Sequence, residues 1–214
     1  MSGYRACLID VYDTLLSCDF RVHATEMPVF AGVEARSWNE AFIQHGDALN
    51  DGQLTMGEAY AAVLRTCGKD HDDELIERLR ARNLELLFEH TVVHPDSVPF
   101  LEELRERGVR TAIVSNCADG TRPLLHHLGL DALVDELVLS CEVRSSKPAA
   151  PIFETALTGL GATPEETVFV DDQPAYCDGA RRLGITAVCI RRDDPPVAGE
   201  EHIVRSLEEV IPLF

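Results

Sequence analysis

The sequence predicts an α/β protein in which a core with a parallel sheet carries an inserted, all-helical region. Short and nearly all-apolar runs alternate with helical patterns over most of the chain, as in β-α units that build a parallel sheet. One stretch, residues 17–94, shows helical periodicity without a convincing strand. We therefore predict a core domain formed by residues 1–16 and 95–214 and a helical domain formed by residues 17–94.

Five apolar runs are the predicted strands of the core. They are residues 6–9, 110–114, 136–140, 167–170 and 186–190. Such continuous apolar character is typical of strands that are covered on both faces. Polar residues follow three of these runs directly: Asp10, Ser115 and the pair Asp171-Asp172. Because open α/β sheets bind ligands at the carboxyl ends of their strands, these side chains are predicted to form one site.

Several helix ends are also readable. Asp96 is predicted to cap the helix that follows it, and residues 163–166 form a capping box that opens a short helix before the fourth strand. Residues 55–58 form a second capping box, inside the helical region. Trp38 and Phe42 are predicted to belong to the apolar core of that region.

Composition narrows the function classes. The 214 residues include 37 acidic and 19 basic ones, which argues against nucleic acid as a partner, because a phosphate backbone demands a basic face. No apolar run is long enough to cross a bilayer and no signal peptide is recognisable, so we expect a cytoplasmic protein without a membrane partner. The seven cysteines lack a C-x-x-C pair and are interpreted as reduced thiols. Both a monomer and a homodimer remain open.

Four motifs occur in order at or near the predicted strand ends. They are Asp10-Val11-Tyr12-Asp13-Thr14-Leu15, Ser115-Asn116, Ser146-Lys147-Pro148 and Val170-Asp171-Asp172. In order and placement they resemble the motifs of the haloacid dehalogenase (HAD) superfamily over nearly the whole chain. The resemblance implies a Rossmann-like parallel sheet core, the HAD fold, with an all-helical cap domain inserted between the first and second motifs.

The resemblance also implies a nucleophile and a metal site. Asp10 would attack the substrate and form a covalent aspartyl intermediate that water hydrolyses. Mg²⁺, a hard cation that prefers oxygen ligands, would be held by Asp10, the backbone carbonyl of Tyr12 and one of Asp171 and Asp172. We expect Asp172 to ligate directly and Asp171 to orient Lys147 or a water molecule on the metal.

A phosphoryl-binding set follows from the same resemblance. Thr14, Ser115, Asn116 and Lys147 would bind the phosphoryl oxygens, with Lys147 also counted as catalytic. Tyr176, close behind the aspartate pair, either borders the site or packs beneath it. The leading hypothesis is therefore a Mg²⁺-dependent phosphatase that acts on a small, anionic, phosphorylated metabolite.

Tyr12 opens two other hypotheses. Phosphatases of the superfamily normally carry an aspartate two residues after the nucleophile, to protonate the leaving group and then to activate water. A phenol donates a proton but is a poor base at neutral pH. The 2-haloacid dehalogenases of the superfamily share the tyrosine and need no metal, but they generally lack an acidic fourth motif such as Asp171-Asp172. A metal-free dehalogenase and a catalytically weakened HAD scaffold with a binding role are the alternatives.

Overall fold

The computed structural model of the chain describes residues 3–192 and 202–214. Its strands are β1 (Ala6–Ile9), β2 (Leu16–Cys18), β3 (Thr91–Val93), β4 (Arg110–Ser115), β5 (Glu136–Leu139), β6 (Thr167–Asp171), β7 (Thr186–Ile190) and β8 (Ile203–Val204). Six of them form one parallel sheet in the order β5-β4-β1-β6-β7-β8. This confirms the predicted α/β class and all five predicted strands. The third strand ends one residue early because Ser140 begins a helix, and β8 was not predicted.

Ten α-helices surround the sheet or form the inserted region within the described residues. They are α1 (Phe20–Ala31), α2 (Ala35–Ile43), α3 (Gly46–Asn50), α4 (Met56–Thr66), α5 (Asp73–Glu89), α6 (Ser97–Glu106), α7 (Thr121–His127), α8 (Ser140–Val143), α9 (Ala150–Leu160) and α10 (Pro174–Arg181). Single 3₁₀ turns lie at Asp131–Leu133, Pro164–Glu166, Leu207–Glu209 and Ile211–Leu213. In this described part of the chain, no helix combines the length and apolar character that a bilayer crossing needs.

The two faces of the sheet form two apolar cores. Alternation along β1 sends Cys7 and Ile9 to one face, where α6 and α7 pack, and Ala6 and Leu8 to the other, where α9 and α10 pack. Phe153 of α9 meets Phe169 of β6 edge to face, with ring centroids 5.2 Å apart. Packing on both faces explains why the strands are apolar throughout.

Helices α1 to α5 all lie between β2 and β3 in the chain and share a core of their own. Trp38 is buried in this core and Phe42 packs against it, as predicted. The capping box of Thr55 and Glu58 opens α4, also as predicted. The division of the chain into a core domain and a helical domain stays a prediction.

The prediction that residues 17–94 contain no strand is wrong at both ends of that stretch. β2 and β3 form a two-stranded antiparallel ribbon in which Leu16 pairs with Val93 and Cys18 pairs with Thr91. Three-residue strands are too short to show a periodic pattern in a sequence. The two connections between the core and the helical region are therefore hydrogen bonded to each other.

Two predicted helix starts differ in detail. Asp96 does not cap α6 with its side chain; its carboxylate accepts hydrogen bonds from Arg192 Nη1 (3.0 Å) and from the backbone N–H of Leu207 (2.8 Å). Arg192, which is distant in the chain, binds the Asp96 carboxylate in place of the helix N–H groups. A local capping pattern cannot reveal such a long-range partner. Residues Pro164–Glu166 form a single 3₁₀ turn, in which Glu166 accepts from the backbone N–H of Thr163.

Candidate active site

The carboxyl ends of three neighbouring strands bring the predicted site residues to one edge of the sheet. β1 lies between β4 and β6, in a register that pairs Ile9 with Ile113 on one side and with Val170 on the other. The backbone N–H of Asp10 donates to Val170 O at 2.9 Å, which fixes Asp10 directly after the strand. The predicted convergence of the polar strand ends is therefore what parallel pairing produces.

Lys147 links the nucleophile candidate to the fourth motif. Its Nζ atom lies 2.5 Å from Asp10 Oδ1 and 2.6 Å from Asp171 Oδ2, and its side chain is fully buried. Burial alone opposes the charged form, but the two carboxylates outweigh it and raise the pKa of Lys147 above its ordinary value. The rings of Phe169 and Tyr176 lie 5.5 and 5.1 Å from Nζ. Lys147 therefore carries its charge into the centre of the site.

Three carboxylates share this small volume. One oxygen from each of Asp10, Asp171 and Asp172 lies within 4.8 Å of the others. Burial raises the pKa of Asp171 to about 7 and, together with the charge of Asp10, raises the pKa of Asp172 to about 6. One ammonium balances only part of this negative charge. The donor set therefore fits a hard divalent cation such as Mg²⁺, which neutralises clustered carboxylates.

Asp171 and Asp172 are held differently. Asp171 accepts from Lys147 on Oδ2 and from the backbone N–H of Gln173 on Oδ1 (2.7 Å), so both of its oxygens are engaged. Asp172 is half-buried and accepts from Gln173 Nε2 at 2.5 Å. Asp172 has fewer hydrogen bonds than Asp171, so its carboxylate is the more available of the two to ligate a cation.

Two of the predicted phosphoryl-binding residues carry buried hydroxyls that have no partner among the described residues. Ser115 and Thr14 are fully buried, and the described residues offer neither side-chain oxygen a hydrogen bond. A buried hydroxyl without a partner is costly, and a bound ligand is one of the few explanations for it. Both residues were predicted to bind the substrate's phosphoryl group, and their unused hydrogen-bonding capacity fits such a ligand.

The side-chain amide of Asn116 is hydrogen bonded to the backbone of Lys147. Its Oδ1 accepts from the backbone N–H of Lys147 (2.7 Å), and its Nδ2 donates to Lys147 O (2.9 Å). This pair of bonds makes Asn116 a residue that positions Lys147. The expectation that its side-chain amide binds phosphoryl oxygens stays a prediction, since that amide already has a partner at each end.

The side chain of Tyr12 lines an apolar cavity and lies close enough to Asp10 for that charge to affect its pKa. Its hydroxyl shares a hydrogen bond with Thr121 Oγ1 (3.0 Å), and its ring lies 5.4 Å from that of Phe20. Burial raises the pKa of Tyr12 above its ordinary value. The phenol therefore keeps its proton at neutral pH and cannot serve as a base there.

The sequence-based predictions did not include two spaces beside the site. The apolar cavity has a volume of about 640 Å³ and lies between helices α1 to α5 and the loops after β1 and β4. A polar cleft of about 870 Å³ opens beside Lys147 and is bordered by Tyr176, for which the sequence left the role open. Asn50 and Asn116 line both spaces. No local motif predicts a cavity that forms between distant segments.

Comparison with known proteins places this fold and site in a class. A family model described as haloacid dehalogenase-like hydrolase matches residues 4–184. The chain therefore belongs to the haloacid dehalogenase-like hydrolases, as the four motifs predicted.

Its relatives divide between two chemistries. The chain is 30% identical to (S)-2-haloacid dehalogenase 4A of Burkholderia cepacia, over 100% of this chain and 96% of that protein. It is 31% identical to glyceraldehyde 3-phosphate phosphatase of Methanopyrus kandleri, over 88% of this chain and 84% of that protein. Among solved structures, a HAD phosphatase from Thermococcus onnurineus superposes with a TM-score of 0.71 at 24% identity, covering 98% of this chain and 97% of the other. The two sequence relatives support a hydrolase and the superposition supports the fold, which leaves the reaction to be argued from the site.

Proposed function

We propose that the chain is a Mg²⁺-dependent phosphatase that hydrolyses a small phosphate monoester through an aspartyl-phosphate at Asp10. The observation that carries this proposal is the cluster of Asp10, Asp171 and Asp172 beside a single ammonium. Attack on a carbon that bears a halide needs no cation, so it gives no reason for two further carboxylates next to the nucleophile. Phosphoryl transfer does need a cation, because negative charge gathers around the attacking carboxylate.

In the first half-reaction, a carboxylate oxygen of Asp10 attacks phosphorus, and the bond from phosphorus to the ester oxygen breaks. The leaving oxygen takes a proton and departs as the alcohol. In the second half-reaction, water attacks the same phosphorus and its proton returns to the Tyr12 phenolate, while the bond to Asp10 breaks and inorganic phosphate leaves. Tyr12 keeps its proton and is therefore proposed as the donor to the leaving oxygen.

The other site residues bind and orient the phosphoryl group. Lys147 holds Asp10 by its ammonium and presents positive charge to the phosphoryl oxygens, while the free hydroxyls of Ser115 and Thr14 donate to them. We propose Asp10, Asp172 and the carbonyl of Tyr12 as the Mg²⁺ ligands, with Asp171 orienting Lys147. When bound, the cation offsets the charge that develops in phosphoryl transfer.

Residues 17–94 are proposed as the cap domain. Helices α1 to α5 supply most of the lining of the apolar cavity, and the core supplies the rest from the loops after β1 and β4. A cap in this place excludes water from the intermediate and selects the substrate by its alcohol part.

A second candidate is a metal-free 2-haloacid dehalogenase. The observation that favours it is Tyr12 itself, whose ring lies in an apolar cavity that suits a small haloalkyl group. The whole-length similarity to a haloacid dehalogenase adds support. In this reaction Asp10 would attack the carbon, halide would leave, and water would hydrolyse the ester formed on Asp10.

One paired assay separates these candidates. Phosphate release from 4-nitrophenyl phosphate and halide release from (S)-2-chloropropionate are measured with Mg²⁺ and with a chelator, for the natural chain and for Asp10→Asn. We expect phosphate release that needs both Mg²⁺ and Asp10. Halide release that persists in the chelator would establish the second candidate. A folded protein with neither activity would support the weakened scaffold with a binding role.

A further inference from the structure

The two spaces at the site differ sharply in chemical character. Among the described residues that line the 640 Å³ cavity, there is no aspartate, glutamate, lysine or arginine. Its walls include the rings of Tyr12, Phe20, Trp38, Phe42 and Tyr60. The chain has 37 acidic and 19 basic residues, so a cavity of this size lined by no charged side chain is unusual for it. Such a cavity favours an uncharged, apolar part of a ligand.

Three polar side chains of the cavity already have hydrogen-bond partners, whereas both ring nitrogens of His23 are buried and have none among the described residues. Asn39 Nδ2 donates to Ala24 O (2.9 Å), Thr121 Oγ1 is bonded to the Tyr12 hydroxyl, and the Asn116 amide is bonded at both ends to the backbone of Lys147. Burial lowers the pKa of His23, which keeps that imidazole uncharged at neutral pH. A polyol that entered this cavity would lose several bonds to water, and the ring-carbon and aliphatic walls could not replace them, which leaves few polar groups such as the His23 imidazole to do so.

The polar cleft beside Lys147 is the opposite kind of surface. Arg144, Lys147, Asp47 and Asp51 line it, and Asn116 lies where it meets the apolar cavity. Asn116 follows Ser115 in the chain and holds Lys147, whose ammonium reaches Asp10. Asn116 therefore joins the polar cleft, which Lys147 lines, to the apolar cavity, which Tyr12 lines.

We infer that the substrate is a phosphate monoester whose alcohol part is uncharged and largely apolar, such as a branched or medium-length alkyl group or a single aryl ring. The alcohol part fills the apolar cavity, which has the volume of an ordinary small-ligand pocket. This inference rests on the proposed phosphatase activity and names the substrate class of that same site. We expect phosphates of sugars and other polyols to be poorer substrates, because they place several hydroxyls against largely apolar walls.

The test is a series of esters that share one leaving-group chemistry. Phosphate release by the Mg²⁺-loaded protein is measured for n-alkyl phosphates from ethyl to hexyl, and for glycerol 1-phosphate as the polar match of propyl phosphate. We expect kcat/KM to rise roughly fourfold per methylene until the cavity is full. Propyl phosphate should exceed glycerol 1-phosphate in kcat/KM by about tenfold or more, because two further hydroxyls would lose water against largely apolar walls.

Variants connect this preference to the cavity. Phe42→Gln and Phe20→Gln each place an amide in the lining, and Phe20 is 51% exposed, so its replacement leaves the fold intact. Each should lower kcat/KM for hexyl phosphate by about tenfold more than it lowers kcat/KM for ethyl phosphate, so that the chain-length slope flattens. Val29→Gln is the matched control, because Val29 is 77% exposed on the same helix as Phe20 and does not line the cavity.

The outcomes separate this inference from the proposed function. Mg²⁺-dependent hydrolysis with an equal or greater rate on glycerol 1-phosphate would overturn the inference and leave the phosphatase proposal standing. An alkyl series without a slope, or a slope that both cavity variants retain, would also overturn it. Failure to hydrolyse every ester tested would overturn the proposed function and the inference together.

Discussion

The ammonium of Lys147 lies 2.5 Å from the Oδ1 atom of Asp10, although 137 residues separate the two in the chain. The same ammonium lies 2.6 Å from Asp171, so one buried cation holds the nucleophile candidate and the fourth motif together. Because the cation serves two carboxylates, both stability and reactivity depend on it.

Lys147→Met tests this dependence. Removing one partner of a buried ionic cluster leaves uncompensated charge, so we expect a loss of about 3–5 kcal/mol in the free energy of unfolding of the metal-free protein. Urea denaturation measures it, and Mg²⁺ should recover more stability in this variant than in the natural chain. Lys69→Met is the control, because Lys69 is exposed, and it should change stability by less than about 0.5 kcal/mol. Equal effects of the two substitutions would contradict the central position of Lys147.

The acidic cluster predicts a pH dependence that Mg²⁺ reverses. The pKa values of Asp172 and Asp171 are raised to about 6 and about 7, so the folded metal-free protein binds protons more tightly than the unfolded chain. This contribution to stability is fully present below about pH 4 and is lost as pH rises through 6 and 7.

Asp172→Asn isolates this effect. In a chelator at pH 8, the variant should melt at a higher temperature than the natural chain, and the difference should shrink towards pH 4. With Mg²⁺ at pH 8 the order should invert, because the natural chain has the better ligand set. Thermal unfolding monitored by circular dichroism gives both comparisons. The same order with and without Mg²⁺ would argue against a cation at Asp172.

Tyr12 predicts which half-reaction is slow. With 4-nitrophenyl phosphate the leaving phenolate needs no proton, so Tyr12 stays protonated and cannot activate water, and the intermediate on Asp10 should form faster than it is hydrolysed. Stopped-flow measurement with 4-nitrophenyl phosphate should show a burst of nitrophenol close to one equivalent of enzyme. Tyr12→Asp should remove the burst and raise the steady rate by about tenfold or more, whereas Tyr12→Phe should keep the burst. Linear product release in the natural chain would show that another residue supplies the base.

Gly52 lies where the helical region closely approaches the core, so a substitution there tests how much this approach matters. It has a φ of +62°, and a Cβ atom there would lie 1.9 Å from the carbonyl oxygen of Cys141. Gly52→Ala should therefore displace the loop after α3 and lower kcat/KM by about tenfold or more, since this loop borders the cleft of Lys147.

Gly68→Ala is the matched control for Gly52→Ala. Gly68 has a φ of +67°, but no atom lies within 4 Å of an added Cβ atom. Its substitution therefore costs only the backbone strain, about 1 kcal/mol. Its activity should stay within about twofold of that of the natural chain. Similar losses of activity in both variants would mean that the contact with Cys141 is unimportant.

The strand ends could be predicted from the sequence because the signal is local. An apolar run followed by a polar residue marks Asp10, Ser115 and Asp171, and parallel pairing then brings these positions to one edge. Asp13 has a φ of +59°, in the left-handed region. Aspartate tolerates this conformation better than most residues, and glycine adopts it freely, so this backbone preference is also local.

Other features could not be predicted because they depend on distant segments. The bond from Asp96 to Arg192 spans 96 positions, and it overrides the capping role that the local pattern gives to Asp96. The ring of Tyr176 lies against Lys147 only because α10 packs near the loop before α9. The apolar cavity likewise forms where the helical region meets the core.

The most direct test of the account is the chemical identity of the adduct on Asp10. The protein is mixed with 4-nitrophenyl phosphate and Mg²⁺, or with (S)-2-chloropropionate and a chelator, quenched in acid, digested and analysed by peptide mass spectrometry. We predict a phosphoryl group on the Asp10 peptide in the first mixture and an unmodified peptide in the second. A 1-carboxyethyl ester on Asp10 in the second mixture, with no phosphoryl group in the first, would contradict the phosphatase proposal.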